Sequence, residues 1–235
     1  MTGKKIENRT GGDARASIEH FADRSRDPNV VGFLHHPASA PKDALILTHG
    51  AGSNCRTPLL VELAEAFADA GMLVLRCDLP YRQDSPQGPP RPGGAERDRE
   101  GLRNAVAAAR GLVPGRVFLG GHSYGGRQSS MLAASAPGLV DRLLLLSYPL
   151  HPPRKPEQLR VQHFPVLRTP ILFVHGTRDP FGSEDELVQA TKGIPARKDF
   201  LFVAGAGHEL KAAKAELPLG LQVRDKFAEF LGEFN

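Results

Sequence analysis

The chain is predicted to be an α/β protein: a doubly wound, mostly parallel sheet with helices on both faces and a minimal cap. Three observations predict this. Short apolar runs such as Ala44–Thr48 and Leu143–Leu146 lack the in/out alternation of a half-exposed strand, as expected where a sheet is covered on both faces. Segments with apolar residues at helical spacing separate these runs, the alternation that builds crossover units. A Gly-x-Ser-x-Gly sequence, Gly121-His122-Ser123-Tyr124-Gly125, falls where a strand hands over to a helix.

The elements follow in order. Residues 1–28 are polar and weakly patterned, and read as an exposed arm with one short helix; the domain proper spans 29–235. Val30–Leu34 is a strand closed by a turn at Pro37 and Pro41. Ala44–Thr48 is a buried strand ending in His49-Gly50-Ala51-Gly52. Leu59, Leu60, Leu63, Phe67 and Ala70 mark a helix over 57–70, terminated by Gly71. Met72–Leu75 is a strand. Residues 79–95 carry Pro80, Pro86, Pro89, Pro90 and Pro92, a density that predicts a long loop without regular structure. A helix over 96–110, a strand at 116–119, a helix over 124–136 stopped by Pro137-Gly138, and a strand at 142–147 come next. The proline-rich 149–169 is too short for a separate helical cap. A strand at 170–174, a helix at 184–192, a strand at 199–203 and a closing amphipathic helix at 217–232 complete the chain.

Composition narrows the function. At 235 residues with 40% hydrophobic and 24% charged residues, the chain has enough apolar material for one sizeable core. The net charge of +4 is mild, and the six arginines from Arg76 to Arg103 are interleaved with Asp78, Asp84, Glu96, Asp98 and Glu100. That is a mixed-charge surface rather than the one-sided basic stripe of a nucleic-acid binder. The N-terminus lacks the apolar run of a signal peptide, and no run approaches the length of a membrane span. Two cysteines do not make a disulfide scaffold. These features predict a cytoplasmic protein with reduced thiols and no nucleic-acid or membrane partner.

The chemistry centres on Ser123. A nucleophile on a tight strand-to-helix turn needs neighbours without side chains two positions away on either side, which Gly121 and Gly125 supply, with Gly120 and Gly126 adding room. A serine hydroxyl needs a base, and the base an orienting acid. His208 follows the last predicted strand, and Asp179, in His175-Gly-Thr-Arg-Asp179-Pro-Phe-Gly, follows the one before it; Asp185 is the alternative acid. For an oxyanion, the backbone N–H of Tyr124 is one donor, and that of Ala51, with Gly52 as alternative, is the second. His49 is expected to be structural.

In this order, GHSYG, HGAG, GTRDPFG and GAGHEL resemble the α/β-hydrolase superfamily over about residues 30–235. Within it the chain is similar to small, nearly capless members, the dienelactone-hydrolase-like and testis-expressed-protein-type branches. The segment Ser147-Tyr-Pro-Leu-His-Pro-Pro153 followed by GTRDPFG resembles the latter. Dienelactone hydrolases proper carry cysteine where this chain has Ser123. The resemblance implies a serine esterase acting on a small acyl substrate. A non-catalytic interaction protein on the same fold, or an acyltransferase, peptidase or perhydrolase with the same residues, are the alternatives.

An open site is expected, with Gly52, Tyr148, Leu150, Phe164 and the 79–95 loop binding substrate. Arg56, Arg127, Arg154 and Lys155 would favour an anionic substrate if they reached its mouth. Cys55 and Cys77 read as ordinary reduced cysteines rather than a redox pair. The tandem His35-His36 lacks metal-ligand spacing, and no glycine-rich stretch matches a nucleotide loop, so neither metal nor cofactor is expected.

Overall fold

The computed structural model describes residues 16–211 and 217–232. Among these described residues, eight strands form one sheet: β1 (Ser17–Asp23), β2 (Val30–His36), β3 (Ala44–Thr48), β4 (Leu73–Cys77), β5 (Val117–His122), β6 (Arg142–Leu146), β7 (Ile171–Gly176) and β8 (Lys198–Val203). Their spatial order is β1-β2-β4-β3-β5-β6-β7-β8. From β4 to β8 all pairings are parallel, and β1 and β2 join antiparallel. The helices among the described residues are α1 (Pro58–Asp69), α2 (Pro80–Asp84), α3 (Ala95–Arg110), α4 (Tyr124–Ser135), α5 (Glu184–Thr191) and α6 (Leu219–Leu231), with a 3₁₀ turn at Phe164–Val166.

The continuous apolar strands feed two cores, one on each face of the sheet. Leu45, Leu47, Val74, Phe118, Leu144 and Val174 pack against Leu63 and Phe67 of α1 and Phe227 and Phe230 of α6. The Phe227 ring meets Phe67 and Phe118 edge-on, with centroids 5.6 and 5.3 Å away. The alternate strand residues, Ile46, Leu75, Leu119, Leu143, Leu145 and Phe173, face Leu102 and Val106 of α3, Leu132 of α4 and Leu187 of α5. Each such fully buried Leu or Phe contributes about 1.5–3 kcal/mol of transfer free energy, so the strands are held from both sides.

Two expectations change. Residues 17–23, read as part of an exposed arm with a short helix, form β1, paired along its whole length with β2. This edge strand is mostly exposed, so its backbone bonds need no apolar pattern to accompany them; residues 1–15 of the arm lie outside the described residues. The 79–95 segment is not free of regular structure. Pro80 starts the short helix α2 at a first-turn position, where proline is tolerated because its missing N–H has no intrahelical acceptor to lose. Elsewhere the predicted elements are found within about three residues at each end, the ordinary scatter of helix and strand boundaries. Helix α5 starts at a full capping box, Ser183 with Glu186. Among the described residues no helix is long and apolar enough to cross a membrane.

Candidate active site

The parallel strands end together, and the loops leaving those ends gather the residues that carry chemistry. Ser123 stands between β5 and α4 with φ 52° and ψ −116°. Positive φ is costly for a residue with a Cβ, about 1–3 kcal/mol, and the surroundings hold it: the Ser123 N–H donates to Leu146 O at 2.8 Å, and Arg127 N–H donates to Ser123 O at 2.9 Å. The flanking glycines permit the turn. A Cβ on Gly125 would lie 2.6 Å from the His49 carbonyl oxygen, and one on Gly121 would lie 2.8 Å from the backbone of Gly125. Gly125→Ala is therefore expected to cost about 1–3 kcal/mol in urea unfolding, because the obstruction at His49 is backbone that cannot rotate away; an unchanged unfolding midpoint would contradict this packing.

Asp179, after β7, and His208, after β8, complete a hydrogen-bond relay with Ser123. His208 Nε2 lies 2.8 Å from Ser123 Oγ, and His208 Nδ1 lies 2.8 and 3.0 Å from the two Asp179 oxygens. A carboxylate only accepts, so Nδ1 carries the proton and Nε2 is left as the acceptor facing the serine hydroxyl. The Asp179 side chain is fully buried and also accepts the Phe181 N–H at 2.9 Å. His175 donates to Gly182 O at 2.7 Å and so secures the loop that carries Asp179. The Phe181 ring lies 4.2 Å from the His208 ring. Buried His122 lies 2.8 Å, through Nε2, from the His208 carbonyl, to which it donates. Burial holds its pKa below the usual histidine value, so it is neutral at pH 7.

An open cleft of about 370 Å³ lies over the relay, lined by Gly50, Ala51, Gly52, Ser53, His122, Ser123, Phe181, His208 and Glu209. The HGAG loop is thus one wall. Tyr124 opens α4, where an N–H has no intrahelical acceptor. His49 is fully buried: its Nδ1 lies 2.9 Å from Gly50 O, and its Nε2 accepts the Leu79 N–H at 3.1 Å.

Residues 41–231 match the family described as an alpha/beta hydrolase domain. The chain belongs to that family. Its fold is shared with the dienelactone hydrolase of Anabaena variabilis at 19% identity, over 93% of this chain and 98% of that one, with a TM-score of 0.69. Est1E from Butyrivibrio proteoclasticus gives 16% identity over 92% and 98% of the two chains, with a TM-score of 0.69. XC6422 from Xanthomonas campestris, described as a serine hydrolase without lid, gives 13% identity over 97% and 98%, with a TM-score of 0.68. At these identities the likeness is one of fold.

Within this alpha/beta hydrolase domain, Ser123, Asp179 and His208 are brought together, and Ala51 and Gly52 line the cleft beside them. Asp185 is exposed in the first turn of α5, on a groove with Pro156 and Leu159. Tyr148, Leu150 and Phe164 were expected to bind substrate and do not line the cleft. They are at most 1% exposed in the core, where the Tyr148 hydroxyl donates to Arg160 O at 2.6 Å. Nor do the expected basic residues reach the cleft. Arg56 lies over the Phe33 ring, Arg127 neighbours Tyr148, Arg160 and His163, and Arg154 and Lys155 are exposed on the 149–169 connection. Phe181, Glu209 and His122 take the place of these residues in the lining. Their signal was available, since each adjoins a relay residue or lies two positions from one.

The thiols of Cys55 and Cys77 are buried and free, and burial raises both pKa values, Cys55 to about 12. His35 accepts from Arg76 Nε at 2.7 Å while His36 bonds Glu19 at 2.9 Å, so the tandem histidines part ways across the strand. Among the described residues no three His, Cys, Asp or Glu side chains gather as a metal site.

Proposed function

We propose that the protein is a serine hydrolase that cleaves small esters or related acyl bonds through an acyl-enzyme. The observation that carries this reading is the unbroken relay from Ser123 Oγ through His208 to buried Asp179 at the floor of an open cleft. In the proposed reaction, Ser123 Oγ attacks the carbonyl carbon as its proton passes to His208 Nε2. The N–H groups of Ala51 and Tyr124 receive the oxyanion. Collapse expels the alkoxide, which takes the proton from His208, and leaves an ester on Ser123. Water then attacks as His208 takes its proton. The second collapse frees the acid and returns that proton to Ser123.

The modest size of the open cleft, about 370 Å³, supports short acyl groups. Among the described residues lining it, Glu209 is the one carboxylate and none is Arg or Lys, which argues against the anionic substrate expected from the sequence. Acetyl and butyryl p-nitrophenyl esters are expected to give higher kcat/KM than dodecanoyl esters. Neutral esters should exceed carboxylate-bearing ones of equal length several-fold, since Glu209 repels the latter. Preference for long or anionic acyl groups would overturn this substrate class. Fluorophosphonate labelling mapped to the peptide carrying Ser123 tests the mechanism, and labelling elsewhere would sink it. The two buried thiols accord with a reducing compartment, and the cytoplasm is the proposed location.

A further inference from the structure

Asp98 is fully buried on α3, and both its oxygens lead to the oxyanion site. Oδ1 accepts the backbone N–H of Tyr81 at 3.0 Å, and Oδ2 accepts the Tyr124 hydroxyl at 2.8 Å. The Tyr81 hydroxyl lies 3.0 Å from both Gly50 O and Ala51 O and donates between them. The Gly50 oxygen belongs to the same planar peptide as the Ala51 N–H. In a trans peptide the two point in opposite directions, so gripping the oxygen aims the N–H. Gly50 O also accepts Ser53 N–H at 3.2 Å, and Arg82 Nη2 holds Ala51 O at 3.2 Å. On the other side, the bond to Tyr124 ties the first residue of α4 to α3. The Tyr81 and Tyr124 rings meet edge to face, 5.8 Å apart at 90°.

We propose that Asp98 is a positioning residue that holds the two oxyanion amides in one relation, through Tyr81 on the Gly50–Ala51 peptide and through Tyr124 on the start of α4. The proposal rests on the serine-hydrolase reading and adds to it the device that sets its donors. An amide in place of Asp98 can accept one of the two bonds and presents N–H₂ to the other partner. Tyr81→Phe removes one of the bonds that hold the Gly50–Ala51 peptide, the one that leads back to Asp98, and leaves those from His49 Nδ1 and Ser53; Tyr124→Phe removes the tie to α4.

The test compares Asp98→Asn, Tyr81→Phe, Tyr124→Phe and the multiple variants on p-nitrophenyl acetate, and with a trifluoromethyl ketone that forms a tetrahedral adduct on serine. Asp98→Asn and Tyr81→Phe are expected to lower kcat about tenfold, less than outright loss of an oxyanion donor. KM should stay within about twofold, and ketone affinity should fall in parallel with kcat/KM. Added to Tyr81→Phe/Tyr124→Phe, Asp98→Asn should cause little further loss, because its route to the site is already cut. Folded Asp98→Asn with unchanged kcat, a loss confined to KM, or full additivity would overturn the proposal. If Asp98→Asn does not fold, the tyrosine variants decide, and normal kcat and ketone affinity in both would overturn it. A wild-type protein that neither hydrolyses esters nor labels at Ser123 would overturn the serine-hydrolase reading and this proposal with it. An active wild type with indifferent variants would overturn the positioning role alone.

Discussion

Ser123→Ala is expected to lower kcat by about 10⁴-fold or more and to abolish fluorophosphonate labelling, with little change in thermal stability. The magnitude follows from what the hydroxyl supplies. Without it there is no covalent intermediate, and the Asp179–His208 pair has no proton to take from a nucleophile in the chain. The stability expectation is separate. Alanine at φ 52° carries the same Cβ strain as serine, and the side chain lost makes one hydrogen bond, to His208. The proposed oxyanion amides would remain, so some acceleration over solution is expected to persist. A variant that retains a tenth of the activity would show that Ser123 is not the nucleophile.

Asp179→Asn is expected to lower kcat by about 10³–10⁴-fold, a loss out of proportion to the single atom changed. The carboxylate accepts from His208 Nδ1–H and so keeps Nε2 unprotonated toward Ser123. An amide in the same place offers N–H₂ to Nδ1, favours the opposite tautomer, and leaves a proton on the nitrogen that must accept one. The Phe181 N–H can still bond the remaining carbonyl oxygen, so the loop stays in place. Asp185→Asn, in the exposed first turn of α5, serves as the control and should leave kcat within about twofold. Equal losses in the two variants would mean that Asp179 acts only through stability.

What the sequence revealed and what it concealed divide along physical lines. Strands buried on both faces announce themselves as unbroken apolar runs, and the helices as 3.6-residue spacing, so the order of elements from β2 to α6 was legible. Ser123, Asp179 and His208 were legible because each follows a strand, and their chain order constrains which residues can meet. Tyr148, Leu150 and Phe164 misled because an apolar residue on a connection near the site looks the same in sequence whether it lines a cleft or closes a core. β1 was hidden because an edge strand is defined by backbone bonds that any residue can make. Asp98 and Tyr81 were hidden for another reason: Asp98 reads as one acid among many on a charged helix start, and only the packing of α3 against α2 and α4 shows where its oxygens go.

His208 hangs from the loop after β8, which among the described residues is an edge strand paired with β7 alone, and is mostly half-exposed. Ser123, by contrast, follows β5, flanked by β3 and β6. The proposed nucleophile and its proposed base therefore sit on a central and an edge strand, which are expected to differ in local stability. On that reading, fraying of the outer strand, too slight to register as unfolding of the core, would withdraw the base. The activity of the proposed relay would then be a finer gauge of the integrity of that margin than any signal averaged over the whole chain.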